Sequence, residues 1–184
     1  TTMLLGAAKF LAETRNFAGR AVLIFQPAEE GPGGGNLMVD DGVMDRHGID
    51  QVYAIHTLPE EAAGTFHTCA GPIMAAVDTF HIDIEGHGGH GGYPHLSRDP
   101  VVAAAGMVQA IQTIVSRNHF ALDELVVSVT QIHTGSAENI VPEEAYINGT
   151  IRSFESRVQQ MVWQRLIDIG AGQAASYNVE AQGR

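Results

Sequence analysis

Apolar residues at Met3, Leu4, Ala7, Phe10 and Leu11 recur at helical spacing, so the opening stretch TTMLLGAAKFLAETRN is predicted to form an amphipathic helix. Two apolar runs without alternation follow, AVLIF at residues 21–25 and VYAIH at 52–56. Between them lie a glycine-rich loop and a short helix predicted around residues 36–44. Strand, helix and strand with unalternating apolar strands predict a mostly parallel sheet covered on both faces. The first part of the chain therefore reads as α/β.

After AGPIMAA the pattern changes. Phe80, Ile82 and Ile84 alternate with Thr79, His81, Asp83 and Glu85, the mark of a strand with one wet face. A Gly/His loop comes next, then a helix announced by Asp99 as N-cap and Pro100 in the first turn, with an inward face predicted at Val102, Ala105, Val108, Ile111 and Val115. Strands follow at LVVSVTQIH and AYINGTIRSF. A helix over residues 156–175 places Val158, Met161, Val162, Leu166 and Ile169 on one side, and YNVEAQ closes the series. The order β-α-β-β-α-β is that of an α+β, ferredoxin-like arrangement. The division between the two parts falls near residues 71–76.

Composition adds limits. With 184 residues, 45% hydrophobic and 17% charged, the chain is an ordinary folded protein. A net charge of −11 with no lysine or arginine cluster argues against nucleic acid and anionic membrane as partners. Cys69 is the sole cysteine and cannot form an intrachain disulfide. With no signal-like start and no apolar stretch of membrane-spanning length, a cytoplasmic location is the default expectation. The chain opens on Thr1 with a helix already under way and ends at Arg184 inside strand-like sequence, so further segments are expected at both ends.

The candidate chemistry begins with FQPAEEG, residues 25–31. In open α/β sheets ligands bind beyond the carboxyl ends of the strands, and Glu29, Glu30 and His56 fall at such ends. One carboxylate of an adjacent pair can hold a cation while its neighbour faces water, although a solvated turn and an ordinary strand-end histidine would look the same. His87, His90 and His95 share a glycine-rich loop that reads either as a metal-binding tract or as a tolerant surface loop. Arg152 shares the polar face of its strand with Asn148 and Thr150.

Taken in order, LIFQPAEEG, VYAIHTLPEEAAGTF, GPIMAAVDTFHIDIEGHGGHGGYPH, DPVVAAAGMVQAIQTIVSR, VTQIHTGSAENIVPEEA and GTIRSF resemble the M20 metallopeptidase and amidohydrolase family. The likeness is to its aminoacylase-like branch of hippurate hydrolases, N-acyl-amino-acid amidohydrolases and auxin-conjugate hydrolases. The resemblance implies that residues 1–73 are part of a metal-dependent catalytic domain and 74–184 a lid and dimerisation domain. It implies Glu29 as the general base, Glu30 and His56 as ligands of two divalent metal ions, and His90 as a catalytic histidine that reaches into a partner subunit's site to stabilise an oxyanion. A histidine at position 56, where other branches use aspartate, points to the aminoacylase-like branch. Asn139 and Arg152 match substrate contacts, the arginine as the grip on a carboxylate. Manganese or zinc suits such ligands, and nickel or cobalt is also compatible. The implied reaction is hydrolysis of the amide of a small N-acyl or N-aroyl amino acid, in a homodimer paired through the lid. His87 and the second and third residues of HGG depart from the family's usual lysine and HAA. Leu58 and Tyr93 are candidates for shaping the pocket, whereas His47, His67, His119 and His133 match no catalytic motif.

The family pattern also carries a bridging cysteine and a histidine in a Cys-x-His stretch ahead of the core, and a further histidine near its end. None is in this chain, and Cys69 has the wrong context to substitute. The resemblance therefore implies about half of a two-metal site and an inactive polypeptide as given. The alternatives are a dipeptidase or carboxypeptidase of the same family, and a non-catalytic dimerisation or metal-binding module.

Overall fold

The structure is a computed structural model that describes residues 1–31 and 33–184; Pro32, in the glycine-rich loop after Glu30, lies outside the described residues. The chain divides into two compact units, Thr1–Thr65 and Phe66–Arg184.

The first unit contains α1 (Thr2–Thr14), α2 (Gly34–Asp40) and α3 (Val43–His47). The apolar spacing of the opening stretch does form a helix, closed where Arg15 turns into the left-handed region at φ 48° and donates its N–H to the Leu11 carbonyl. The single helix expected over residues 36–44 is broken in two by Gly42, which sits at φ 81°. The parallel sheet expected over residues 1–73 is not formed among the described residues, where neither 21–25 nor 52–56 is assigned as strand. An apolar run sets a tendency to extend, but a strand also needs a hydrogen-bonded neighbour, and neither run has one among the described residues. Most of their side chains are correspondingly exposed, with Phe25, Val52, Tyr53 and Ile55 all half or more accessible, while Val22 and Ile24 are partly buried. Among the described residues of this unit only Gly34 is buried.

The second unit is the expected ferredoxin-like arrangement. Its elements are β1 (Ala76–Glu85), β2 (Gly89–His90), α4 (Pro100–Thr113), β3 (Leu125–Thr134), β4 (Ile140–Val141), β5 (Glu144–Ser153), α5 (Ser156–Tyr177) and β6 (Glu180–Gly183). The long strands form one antiparallel sheet in the order β3-β5-β1-β6, and β2 pairs with β4 in a separate two-stranded ladder. Alternation decides the faces: Phe80, Ile82, Ile84, Ile147 and Ile151 are buried and form the core with residues of α4 and α5. Thr79, His81, Asp83, Tyr146, Asn148, Thr150 and Arg152 take the alternate positions on the opposite, polar face.

α4 starts as expected, with the Asp99 carboxylate accepting from the N–H groups of Val101 (2.8 Å) and Val102 (3.4 Å). Its buried side is Ala103, Ala104, Met107 and Ile111 rather than the face through Val102 and Ala105. The helix is apolar nearly all round, so periodicity alone leaves its rotation open; close approach to α5 settles it. A Cβ on Gly106 would lie 2.5 Å from the Tyr177 hydroxyl. β3 carries a bulge between Val129 and Gln131, after which Gln131 pairs with Asn148 and His133 with Tyr146. The extra residue thereby moves Gln131 and His133 onto the polar face. No helix among the described residues is long and apolar enough to cross a membrane.

Candidate functional site

Proline and glycine shape the turn that carries the paired carboxylates. Ala28 takes a positive φ of 49°, the Gly31 N–H donates to the Ala28 carbonyl (3.2 Å), and the Gly33 N–H donates to that of Gly31 (2.9 Å). The chain then folds back so tightly that a Cβ on Gly34 would sit 1.9 Å from the Pro27 carbonyl oxygen, a contact only glycine permits. Glu29 and Glu30 are left exposed in the turn.

His56 is also exposed, with Nδ1 2.7 Å from the Thr57 carbonyl oxygen. A carbonyl only accepts, so in the neutral ring Nδ1 carries the proton and Nε2 presents its lone pair, the form in which imidazole binds a metal. A carboxylate and such an imidazole are suitable donors for a divalent ion. No group of three or more His, Cys, Asp or Glu side chains is gathered into a metal-binding cluster among the described residues. The expected convergence of Glu29, Glu30 and His56 rested on a parallel sheet ending beneath all three, and among the described residues neither 21–25 nor 52–56 is assigned as strand.

In the second unit the ladder between β2 and β4 sets Gly89 opposite Val141 and His90 opposite Ile140. One residue beyond, the Gly91 N–H donates to the Asn139 carbonyl (2.7 Å). A Cβ on Gly91 would come within 3.1 Å of that same oxygen, so glycine suits the approach. His90 and Asn139 are thus brought together by backbone pairing across a sequence gap of about fifty residues. The His90 ring accepts at Nδ1 from the Gly92 N–H (2.9 Å) and lies 5.4 Å, centroid to centroid, from a tilted Tyr93. His95 meets Tyr93 edge-on, and His87 is pinned through backbone hydrogen bonds exchanged with Arg98 (2.9 and 3.0 Å). The Gly92 N–H and the Thr57 carbonyl were not among the residues expected from sequence, since backbone partners leave no residue-type signal.

Arg152 is half-buried on the polar face of β5, as alternation predicts. Its Nη1 donates to the Thr150 hydroxyl and to the Ile151 carbonyl (3.0 Å), leaving the Nε–Nη2 edge unengaged among the described residues. That edge can grip a carboxylate with two parallel bonds. Farther along the same face, His81 reaches Asp83 (2.6 Å) and Asn148, while Tyr146 stacks between His81 and His133. The hydrogen bond from His81, and then the charge of the Arg184 guanidinium 2.9 Å away, hold the Asp83 carboxyl below its ordinary value. Arg152 is not close to His90. Glu143 and Glu144, beside the His90 loop, mark the opposite end of β5, a strand path of about 27 Å at ~3.4 Å per residue.

Comparison with known proteins places this arrangement. A model of the M20 peptidase dimerisation domain matches residues 76–172. The chain is 41% identical over 182 residues to an N-acetyl-L-cysteine deacetylase of Bacillus subtilis, covering 98% of this chain and 43% of that protein. It is 37% identical over 180 residues to a hippurate hydrolase of Campylobacter jejuni, covering 98% and 47%. Among solved structures, a dinuclear metal-binding M20 peptidase from Bacillus subtilis superposes with a TM-score of 0.74 at 30% identity, covering 98% of this chain and 45% of that one. The chain spans about half the length of the curated relatives it matches. With the family model covering the whole of β1 to α4, β3 to β5 and most of α5, the chain belongs to the M20 peptidase dimerisation-domain family.

Proposed function

We propose that the protein is a metal-dependent amidohydrolase acting on the amide bond of small N-acyl or N-aroyl amino acids. The observation that carries this reading is the His90–Asn139 pair, held by β2 and β4 in a chain similar to a deacetylase and a hippurate hydrolase. Both relatives are named for an acyl group joined to an amino acid.

In this reading Glu30 and His56 hold divalent metal, His56 through Nε2. Two such ions, manganese or zinc and alternatively nickel or cobalt, supply an acidified water and a polarised amide carbonyl when bound. Glu29 accepts the proton of the attacking water and delivers it to the departing amine. His90 donates a hydrogen bond to the carbonyl oxygen as it gains charge. Asn139 contacts the substrate beside it, and Arg152 grips the carboxylate of the amino acid.

The distance between Arg152 and His90 bears on assembly. The end of β5 beside the His90 loop lies a strand path of about 27 Å from Arg152, more than a small substrate spans, so both groups act on one molecule only if they come from two copies of the chain. This supports a homodimer joined through residues 74–184, with His90 acting across the interface. The outer edge of β3 is ten residues long and carries no charged side chain, features that suit pairing with a second copy.

The test is a substrate panel on the full gene product. N-benzoylglycine and N-acetyl amino acids are expected to be hydrolysed, with activity lost to a chelator and restored by added divalent metal. Preference for dipeptides would move the reading to a peptidase, and no turnover of either class under metal loading would leave a non-catalytic dimerisation module. Sedimentation of the same sample checks the dimer.

A further inference from the structure

We infer that the backbone amide of Gly92 is a positioning group that holds His90 as a neutral hydrogen-bond donor, with the proton on Nε2. A backbone N–H can only donate, and it meets the ring at Nδ1 at 2.9 Å. Nδ1 is therefore the bare, accepting nitrogen, and the single proton of the neutral ring sits on Nε2. The neighbourhood enforces this geometry. The Gly91 N–H is tied to the Asn139 carbonyl, the Tyr93 N–H to the His90 carbonyl (2.8 Å), and the ring lies beside Tyr93. A Cβ on Gly92 would come within 3.1 Å of Nδ1 and 3.2 Å of Cε1, so the ring packs directly over the glycine.

The consequence for chemistry rests on the amidohydrolase reading. A histidine that accepts at Nδ1 from a fixed N–H offers no vacant nitrogen to take a proton from water or substrate. Its available function is to donate a hydrogen bond from Nε2 to the substrate oxygen as that oxygen gains charge, the proton staying on Nε2 throughout. A neutral imidazole used as an electrophile in this way is a known catalytic device. His56 is set in the opposite sense: its Nδ1 donates to a carbonyl and its Nε2 is bare. Two histidines in one chain are thus assigned to donor and ligand roles by the peptide groups next to them.

The test is nuclear magnetic resonance on the uniformly 15N- and 2H-labelled chain at about pH 8, where an ordinary imidazole is neutral. The His90 ring is assigned by its loss in His90→Gln. The expected result is a scalar coupling across the hydrogen bond from the Gly92 amide nitrogen to Nδ1, with Nδ1 resonating as an unprotonated nitrogen and Nε2 as a protonated one. Gly92→Pro is expected to lose the coupling and shift the ring toward the mixed tautomers of a free imidazole. A protonated Nδ1 in the unsubstituted chain, or absence of the coupling with tautomer-averaged shifts, would overturn the inference. Neither metal nor substrate enters the measurement, so its failure is separate from failure of the amidohydrolase reading, which the substrate panel decides.

Discussion

At the scale of single residues the sharpest expectations concern Glu29 and Arg152. In the proposed reaction Glu29 moves a proton and does not hold the substrate. Glu29→Gln in the full gene product should lower kcat by about 100-fold or more with little change in KM, as loss of a general base does. Arg152 is expected to bind carboxylate in ground and transition state alike. Arg152→Met should therefore raise KM by roughly 10- to 100-fold, the worth of a charged hydrogen-bonded pair, with kcat less affected. Steady-state kinetics on N-benzoylglycine separates the two cases, and an equal loss in both parameters for Arg152→Met would contradict its assignment as a carboxylate grip. These side chains were legible because motifs are written in residue types. The turn around Glu29 was legible in part, since Pro27 and the glycines signal tight backbone. The Thr57 carbonyl and the Gly92 amide, which set the two imidazoles, were not, because every residue offers the same peptide groups and only folding selects which one meets a ring.

Between elements, packing and pairing supply contacts that periodicity does not predict. Gly149 lies in the middle of β5, where a Cβ would fall 2.1 Å from Phe80 Cζ and 2.5 Å from the Ser128 carbonyl oxygen. Gly149→Ala should destabilise the second unit by about 1–3 kcal/mol through overpacking, measurable by urea denaturation. The segment ahead of β3 is tied to the first turn of α5 by a two-pronged contact from Arg157 to Asp123 (2.9 and 2.5 Å). The hydrogen bond from Arg157 is the main reason the Asp123 carboxyl lies below its ordinary value. A carboxylate of lowered folded-state pKa stabilises at pH values above its unfolded value, and that contribution disappears as pH falls through the folded one. Asp123→Asn should accordingly lower Tm at neutral pH, and the gap from the parent should close on acidification below the ordinary aspartate range. A gap that stayed constant across the titration would show that the ion pair is not its source. The helix and strand order of this unit followed from periods of two and 3.6 residues, yet the rotation of α4 and the face of Gln131 did not. α4 is apolar on too many sides to choose its own inward face, and the bulge in β3 reverses alternation without any glycine or proline to announce it.

The whole molecule contains two units of unequal internal support. The second has a continuous apolar core between one sheet face and two helices, whereas the first buries only Gly34 among its described residues. Hydrogen exchange read by mass spectrometry on this chain should show slow amides in β1, β5, α4 and α5, and fast exchange in α1 and in residues 21–25 and 52–56. Equal protection in both units would contradict that description. The sequence by itself determined α1, α4 and α5, the order of strands in the ferredoxin-like unit and the identity of the candidate side chains, because these follow from local periodicity and from motifs. Tertiary structure alone decided that the apolar runs at 21–25 and 52–56 have no strand partner among the described residues, that His90 and Asn139 are neighbours, and that Arg152 lies at the end of β5 away from the His90 loop. Each of these depends on which distant backbone a segment pairs with, and hydrogen-bond partners across a fold are set by the assembled chain and not by the residues on either side.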